Sequence, residues 1–289
     1  MRKAQFALIL LVAAAGCGQP FGPQTLVDKP RFLAIRAEPP EIGLDSQFVN
    51  LDLLVATPSG EADVQQCTWA ACIVNLGWAA GQIDCPGKNS LVFSNTCHGA
   101  RLDVEELVDW LSGLDWSDLG PPGNSEQLSD LMGQQLPLFV GVEVEIGGTS
   151  LRGIKRLRIN IDGDEPNGNP SLVGIEVMEG PAPGELVSSG DQLRLRPLVA
   201  EGSSQAFTDP DTGEPRQEDM LFSWFSNAGE FEERRTILDT DSHGNPLDVN
   251  TWHLTPKWSS PGPVWVWVVV RDGRWGCDWT SIGFTLKQD

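Results

Sequence analysis

Residues 221–231 read LFSWFSNAGEF, and residues 261–273 read PGPVWVWVVVRDG. In the first stretch Phe222 and Trp224 fall on one face of an extended chain and Ser223 on the other, because strand side chains alternate with a period of two. In the second, valines alternate with Trp265 and Trp267, and β-branched and aromatic residues suit a pleated, half-buried surface. Gly, Pro or Asp bounds each run, as expected where a strand ends in a turn. Trp265 and Trp267 share a face, and since one face of every sandwich strand is core, burial is the expected fate of both.

Working outward, the same pattern marks strands at Val173–Met178, Gln192–Val199, Met220–Phe225, Thr251–Thr255, Val264–Arg271 and Thr280–Leu286. Upstream, RFLAIRAE (31–38) alternates Phe32, Ala34 and Arg36 against Leu33, Ile35 and Ala37, and Pro39-Pro40 stops it. Gln47–Thr57 and Val64–Val74 follow, the latter with Trp69 near its middle. Leu136–Ile146, Gly147-Gly148 and Leu151–Ile161 form a hairpin pattern. Its return strand carries Arg152, Lys155, Arg156 and Arg158, read as solvent-facing charge that discourages edge pairing, or as a patch for an acidic partner. One interruption, Asp103–Leu114, has apolar residues at helical spacing, with Asp103 as cap, Glu106 three residues on and Gly113 at the end; Ser125–Met132 is a shorter candidate. Strands in succession without intervening helices indicate an antiparallel all-β sandwich, and DGDEPNGNP from Asp162 is a polar break between two of them.

Together LFSWFSNAGEF, TWHLTP (251–256) and PGPVWVWVVVRDG resemble the bacterial immunoglobulin-like and PKD-type modules, which carry a Trp on the third strand and a Gly-led strand of alternating valines ending in Asp-Gly. The resemblance covers 172–289 well and the first domain more loosely, through Trp69 and the Phe139–Ile161 hairpin. The tyrosine corner of such folds is missing, since the chain has no Tyr. The resemblance implies an all-β fold of two antiparallel Ig-like β-sandwich domains in tandem, residues 31–161 with a helical insertion near 103–132, a linker at 162–171, and residues 172–289. It implies that Trp224 faces the opposite sheet. Such modules are mostly spacers and adhesion or binding units, which points away from catalysis.

The chain starts MRKAQFALILLVAAAGC. Arg2 and Lys3 form a basic n-region, and Phe6–Ala15 is an apolar run too short to cross a bilayer as a helix. Ala14-Ala15-Gly16-Cys17 resembles the lipobox of bacterial lipoproteins, with Ala14 where Leu usually stands. The competing reading, an ordinary cut after Ala15, leaves Cys17 a plain residue. The lipobox resemblance implies a signal peptide at 1–16, a lipid on Cys17, a lipidated tether at 17–30, and a place in the cell envelope, at the outer membrane in preference to the inner.

With 40 acidic against 20 basic residues the net charge is −20, which repels phosphate polymers and anionic lipid surfaces. Nucleic acid is therefore excluded as a partner, and contact with a membrane depends on the lipid anchor. The expected partners are that membrane and an envelope protein or, alternatively, a glycan stacked on Trp265, Trp267, Trp275 and Trp279. Cys67, Cys72, Cys85 and Cys97 lie close in sequence and suit two disulfides in an exported chain. On an extended strand Cys67 and Cys72 point to opposite faces about 16 Å apart, beyond the roughly 7 Å a bridge allows. That leaves 67–85 with 72–97, or 67–97 with 72–85, and Cys277 as a free thiol or half of a bridge between domains or chains. No cofactor is expected beyond the lipid. Acidic loops at Asp162–Asn169, Asp209–Asp211 and Asp239–Asn245 contain calcium-type ligands, but none has the glutamate at position twelve of an EF-hand, and they are read as solvated turns. His98, His243 and His253 fall in separate segments, G-x-S-x-G and H-E-x-x-H are absent, and no catalytic residues are assigned.

Overall fold

The computed structural model describes residues 22–43, 45–73, 85, 90–114, 138–160, 166–209 and 212–287. Cys17 and the stretch around it, the Ser125–Met132 candidate and Asp162–Asp164 lie outside these residues.

The first module comprises β1 (Arg31–Glu38), β2 (Glu41–Gly43), β3 (Phe48–Thr57), β4 (Gly60–Glu61), β5 (Cys67–Ile73), β6 (Ser90–Ser94), β7 (Ala100–Asp103), α1 (Val104–Ser112), β8 (Leu138–Ile146) and β9 (Thr149–Asn160). One sheet places β3 between β1 and the pair β4 and β7; the other runs β2-β9-β8-β5-β6. The second module comprises β10 (Leu172–Glu179), β11 (Leu186–Val187), β12 (Gln192–Val199), β13 (Ala206–Thr208), β14 (Pro215–Gln217), β15 (Leu221–Ser226), β16 (Glu230–Phe231), β17 (Arg235–Ile237), β18 (Asn250–His253), β19 (Gly262–Arg271) and β20 (Cys277–Leu286). Its sheets run β10-β12-β18-β16 and β11-β20-β19-β15-β17, with β13 and β14 as a separate hairpin.

Both modules follow one plan. The opening strand lies in one sheet, and the chain then crosses to lend a short piece to the edge of the other. That piece pairs parallel with the closing strand, β2 on β9 and β11 on β20, while the other pairings between the numbered strands are antiparallel. This is the Ig-like arrangement, two β-sandwiches in tandem as the sequence indicates.

Each sandwich is built on a tryptophan of its third long strand. Trp69 of β5 lies among Leu51, Leu138 and Val142, and its indole N–H donates to the Thr96 carbonyl at 2.8 Å. Trp224 of β15 stacks in a chain of rings with Phe231, Trp252 and Phe284, centroids 5.4, 6.2 and 5.6 Å apart in turn. Its N–H donates to Thr236 Oγ1 at 2.9 Å, and that of Trp252 to the Ala228 carbonyl at 2.9 Å, so both large rings are buried with their polar atom satisfied.

The hairpin of β8 and β9 turns through Gly147 and Gly148 at φ +55° and +77°, the left-handed geometry that a two-residue turn asks of both positions. Helix α1 begins where Asp103 Oδ1 accepts the amides of Glu105 and Glu106, ends at Gly113, and buries Leu107 against the first core. In β1 the strict alternation fails. A register shift between Phe32 and Ala34 turns both Leu33 and Ala34 away from the first core, while Phe32, Ile35 and Ala37 face it.

Candidate functional site: the seam between the modules

Leu33 and Ala34 turn outward because a second surface is waiting for them. With Val27, Leu54 and Ala56 they pack against Trp267, Val269 and Cys277 of the second module, flanked by Phe225, Trp265 and Trp279. Along β19, Val264, Val266, Val268 and Val270 fill the second module's own core, whereas Trp267 and Val269 face the first module. The expected burial of Trp267 is thus met, at 0% exposure, but against the neighbouring module and not the opposite sheet. Trp265 and Trp279 are partly buried beside it, which dismantles the four-tryptophan glycan surface. Trp275 alone of the four remains substantially exposed, at 41%.

A polar rim surrounds this apolar contact. Arg36 lies 4.9 Å from the Trp279 ring and bonds Asp278 of the second module at 2.6 Å and Asp52 of the first at 3.3 Å. Asn169 donates to the Ala37 carbonyl at 2.7 Å and accepts the Cys277 amide at 2.9 Å. Asn167 is buried; its amide donates to Glu41 and its side chain to Asp272 at 2.9 Å. The enclosed Glu41 carboxylate meets Arg158 at 3.2 Å and Arg274 at 3.6 Å, and Arg274 reaches on to Glu218 at 3.2 Å. Burial pushes the Glu218 pKa up, against the lowering effect of the Gln205 amide and Arg274. Residues 166–170, in the segment read as linker, therefore bond to both modules.

The start of the chain is stitched in as well. The Val27 amide donates to the Ser226 carbonyl at 2.8 Å, and the Ser226 amide to the Thr25 carbonyl at 3.0 Å, so residues 25–27 run beside the end of β15. Arg31 donates to the carbonyls of Gln24 and Leu26, and Arg234 to the Gln24 side chain. Thr25, Leu26 and Val27 are buried, so part of the stretch read as a tether belongs to the fold.

The basic return strand needs correcting. Arg152 pairs with Glu143 at 3.3 Å across the hairpin, but Lys155 donates to the Trp275 carbonyl at 2.6 Å and Arg156 lies 4.9 Å from the Trp275 ring. Arg158 holds the buried Glu41, and β2 covers that end of β9. All four cations thus make contacts within the chain, three of them reaching beyond their own hairpin.

The cysteines resolve the open pairing. Cys67 bonds Cys97 and Cys72 bonds Cys85, Cα atoms 5.2 and 5.9 Å apart. Opposite faces of β5 account for this, since Cys67 and Cys97 lie in the sandwich core and Cys72 and Cys85 lie with Ala70 and Phe139 on the far side. Peptide mapping without reduction is expected to recover these two linkages; a 67–85 or 72–97 peptide would refute the arrangement. Cys277 is a free thiol, 3% exposed, its pKa pushed up by burial, which makes it unreactive in the closed seam.

In two of the acidic loops the described aspartates, Asp241 and Asp209, are engaged by groups of their own segment. Asp241 accepts the amides of His243 and Asn245 and the Asn245 side chain, bonds from Asn245 being the main cause of its lowered pKa. Asp209 pairs with Arg216 at 2.8 Å. Among the described residues no three His, Cys, Asp or Glu side chains gather as a metal-binding group. His253 lies 3.3 Å from Glu232, and His98 is 3.9 Å from Asp52.

Where the seam opens at one end it leaves a cleft of about 1070 Å³. Its floor is one row across the second module's sheet, Ile237–Leu221–Arg271–Cys277, set by the pairing register of β17, β15, β19 and β20. Phe32 and Leu33 of β1 and Ile154 and Lys155 of β9 form the facing wall, and Trp275 stands at the rim. Trp275 has φ +81°, a conformation that disfavours a bulky side chain. Asp272 Oδ1 holds it there by accepting the amides of Arg274 and Gly276. Any side chain at Gly276 would drive its Cβ to 1.9 Å from Asp272 Oδ2, so this turn requires glycine.

No family model and no curated protein sequence matches the chain. Among solved structures it is similar to the N-terminal Ig1-2 module of the Drosophila receptor protein tyrosine phosphatase DLAR, at 9% identity over 90% of this chain and 100% of that one, TM-score 0.24. It is also similar to the D00-D0 domain of intimin, at 11% identity over 87% and 99%, TM-score 0.23. Three N-terminal domains of the bacteriophage RB49 outer capsid protein Hoc align at 11% identity over 90% and 71%, TM-score 0.21. With TM-scores this low the assignment of an Ig-like fold rests on the sheet topology itself.

Proposed function

We propose that this chain is a non-enzymatic lipoprotein of the cell envelope, acylated on Cys17 and held at the outer membrane, with a structural or protein-interaction role. The observation that carries the role is the seam. Two Ig-like sandwiches joined by an apolar contact, a buried ion-pair network and the N-terminal segment 25–27 form one stiff body, the property wanted in a spacer or a docking unit. The anchor rests on the lipobox-like Ala14-Ala15-Gly16-Cys17. With a net charge of −20 the protein needs a covalent attachment to stay at an anionic surface. A single acyl chain binds membranes only marginally, so stable anchoring calls for more than one.

Replacing Cys17 by serine is expected to abolish acylation and move the protein from the membrane fraction to the soluble fraction, while Cys277→Ser leaves it membrane-bound. Fractionation with metabolic lipid labelling reads this out. A Cys17→Ser protein that remains membrane-bound at mature size would overturn the anchor.

A further inference from the structure

The cleft beside the seam contains two cations, Lys155 and Arg271, for which no ion-pair partner stands among the described residues. Lys155 reaches in from the first module and Arg271 from the second. Lys155 Nζ donates to the Trp275 carbonyl at 2.6 Å; Arg271 donates to the Leu33 carbonyl at 3.1 Å and to Ser223 Oγ at 3.4 Å. All these partners are neutral. Asp272, whose charge acts on Lys155, spends one oxygen on two backbone amides and the other on Asn167. Asp278 is taken by Arg36 and the Leu172 amide. Burial is the main cause of the lowered Lys155 pKa; Cys277 and Asp272 oppose it, and Arg271 adds to it. Two like charges in a partly dry cleft repel each other, and burying charge without an opposite partner is costly. An anion between them relieves both penalties.

The rest of the cleft is apolar. Ile154, Ile237 and Leu238, exposed by 40, 38 and 42%, are among the large hydrophobic side chains that this protein leaves in water, and all three line it with Leu221. Exposed apolar groups gathered in one concavity mark a binding surface, and the volume is at the upper end of the roughly 300–1,000 Å³ usual for small-molecule sites. Asp219 and Asp239, on the lip beside Met220 and Leu238, would repel an anionic head placed there and so fix which way round a ligand enters.

We propose that the cleft binds an amphiphilic anion of the long-chain carboxylate class, its head group between Lys155 and Arg271 and its apolar chain along Leu221, Ile237 and Leu238. This site goes beyond the role proposed above and does not depend on acylation of Cys17.

The test is titration of purified Cys17→Ser protein, which has no acyl chain of its own to compete, with dodecanoate below its micelle concentration and with dodecanol as the uncharged counterpart, followed by calorimetry. Saturable binding of dodecanoate is expected, with dodecanol at least tenfold weaker, the worth of a charge-assisted bond. Lys155→Met should weaken dodecanoate at least tenfold with an unchanged unfolding midpoint, and Lys155→Arg should restore it. Ile154→Trp, which narrows the cleft without touching a cation, should weaken both ligands. Equal binding of acid and alcohol, indifference to Lys155→Met in a folded protein, or no saturable binding would each overturn the proposal.

Discussion

Trp224→Ala is expected to destabilise the protein by roughly 3–5 kcal/mol, the usual cost of emptying a large aromatic site in a packed core. Trp224 is fully buried, touches Phe231 at a centroid distance of 5.4 Å, and bonds Thr236 Oγ1 at 2.9 Å. Alanine removes the ring and leaves a buried hydroxyl short of a donor. The loss is a large part of the ~5–15 kcal/mol that holds a typical domain, so the denaturant midpoint should fall sharply. Trp275→Ala is the control. That ring is exposed and lies over Arg156, so its removal should cost only about 0.5–1 kcal/mol. Equal midpoints for the two variants would place Trp224 outside the core.

A fragment from Ser171 to Asp289 is expected to be at best marginally folded, although it contains every strand of the second module. The sequence suggests the opposite, because a polar segment is all that visibly joins the halves. The seam overturns that premise. Cutting the chain exposes Trp267, Val269 and Cys277 at once. A buried Trp covers 150–250 Å², so exposing Trp267 alone forfeits about 5 kcal/mol at ~25 cal/mol per Å². The cut also removes Val27 and its bond to Ser226. Thermal unfolding of the intact chain should therefore show one cooperative transition, and the fragment should melt far below it. Two independent transitions in the intact chain, with the later or earlier one matching the fragment, would show that the seam contributes little.

The elements that were legible are those whose physics is local. Alternating valines from Val264, the Gly147-Gly148 hairpin and the Asp103 cap each carry their own signal within about ten residues, and each is found where the pattern puts it. What a sequence pattern does not contain is the identity of the surface a side chain faces. Trp267 reads as buried, and is, but period-two alternation cannot distinguish a sheet of its own sandwich from the neighbouring module. Leu33 is harder still, since the shift that turns it outward is one residue wide. The cysteine choice stayed open because both pairings respect the opposite faces of Cys67 and Cys72; only the position of Cys97 just ahead of β7, inside the first core, decides it. The cleft was the least visible part. Lys155 and Arg271 lie far apart in the chain, and the basic run that contains Lys155 looks like ordinary surface charge.

The stitch between Val27 and Ser226 also dictates when the protein can finish folding. It ties residues 25–27 to a strand in the last quarter of the chain, a closure of very high sequence separation that is slow to find. Until β15 and β19 are available, a chain growing or emerging from its N-terminus holds a first sandwich with Leu33, Ala34, Leu54 and Ala56 uncovered. That surface is complementary to a partner that does not yet exist, so the half-made protein is at its most adhesive just before the second module forms. Folding of the whole chain as one unit, rather than module by module, is the schedule this topology favours.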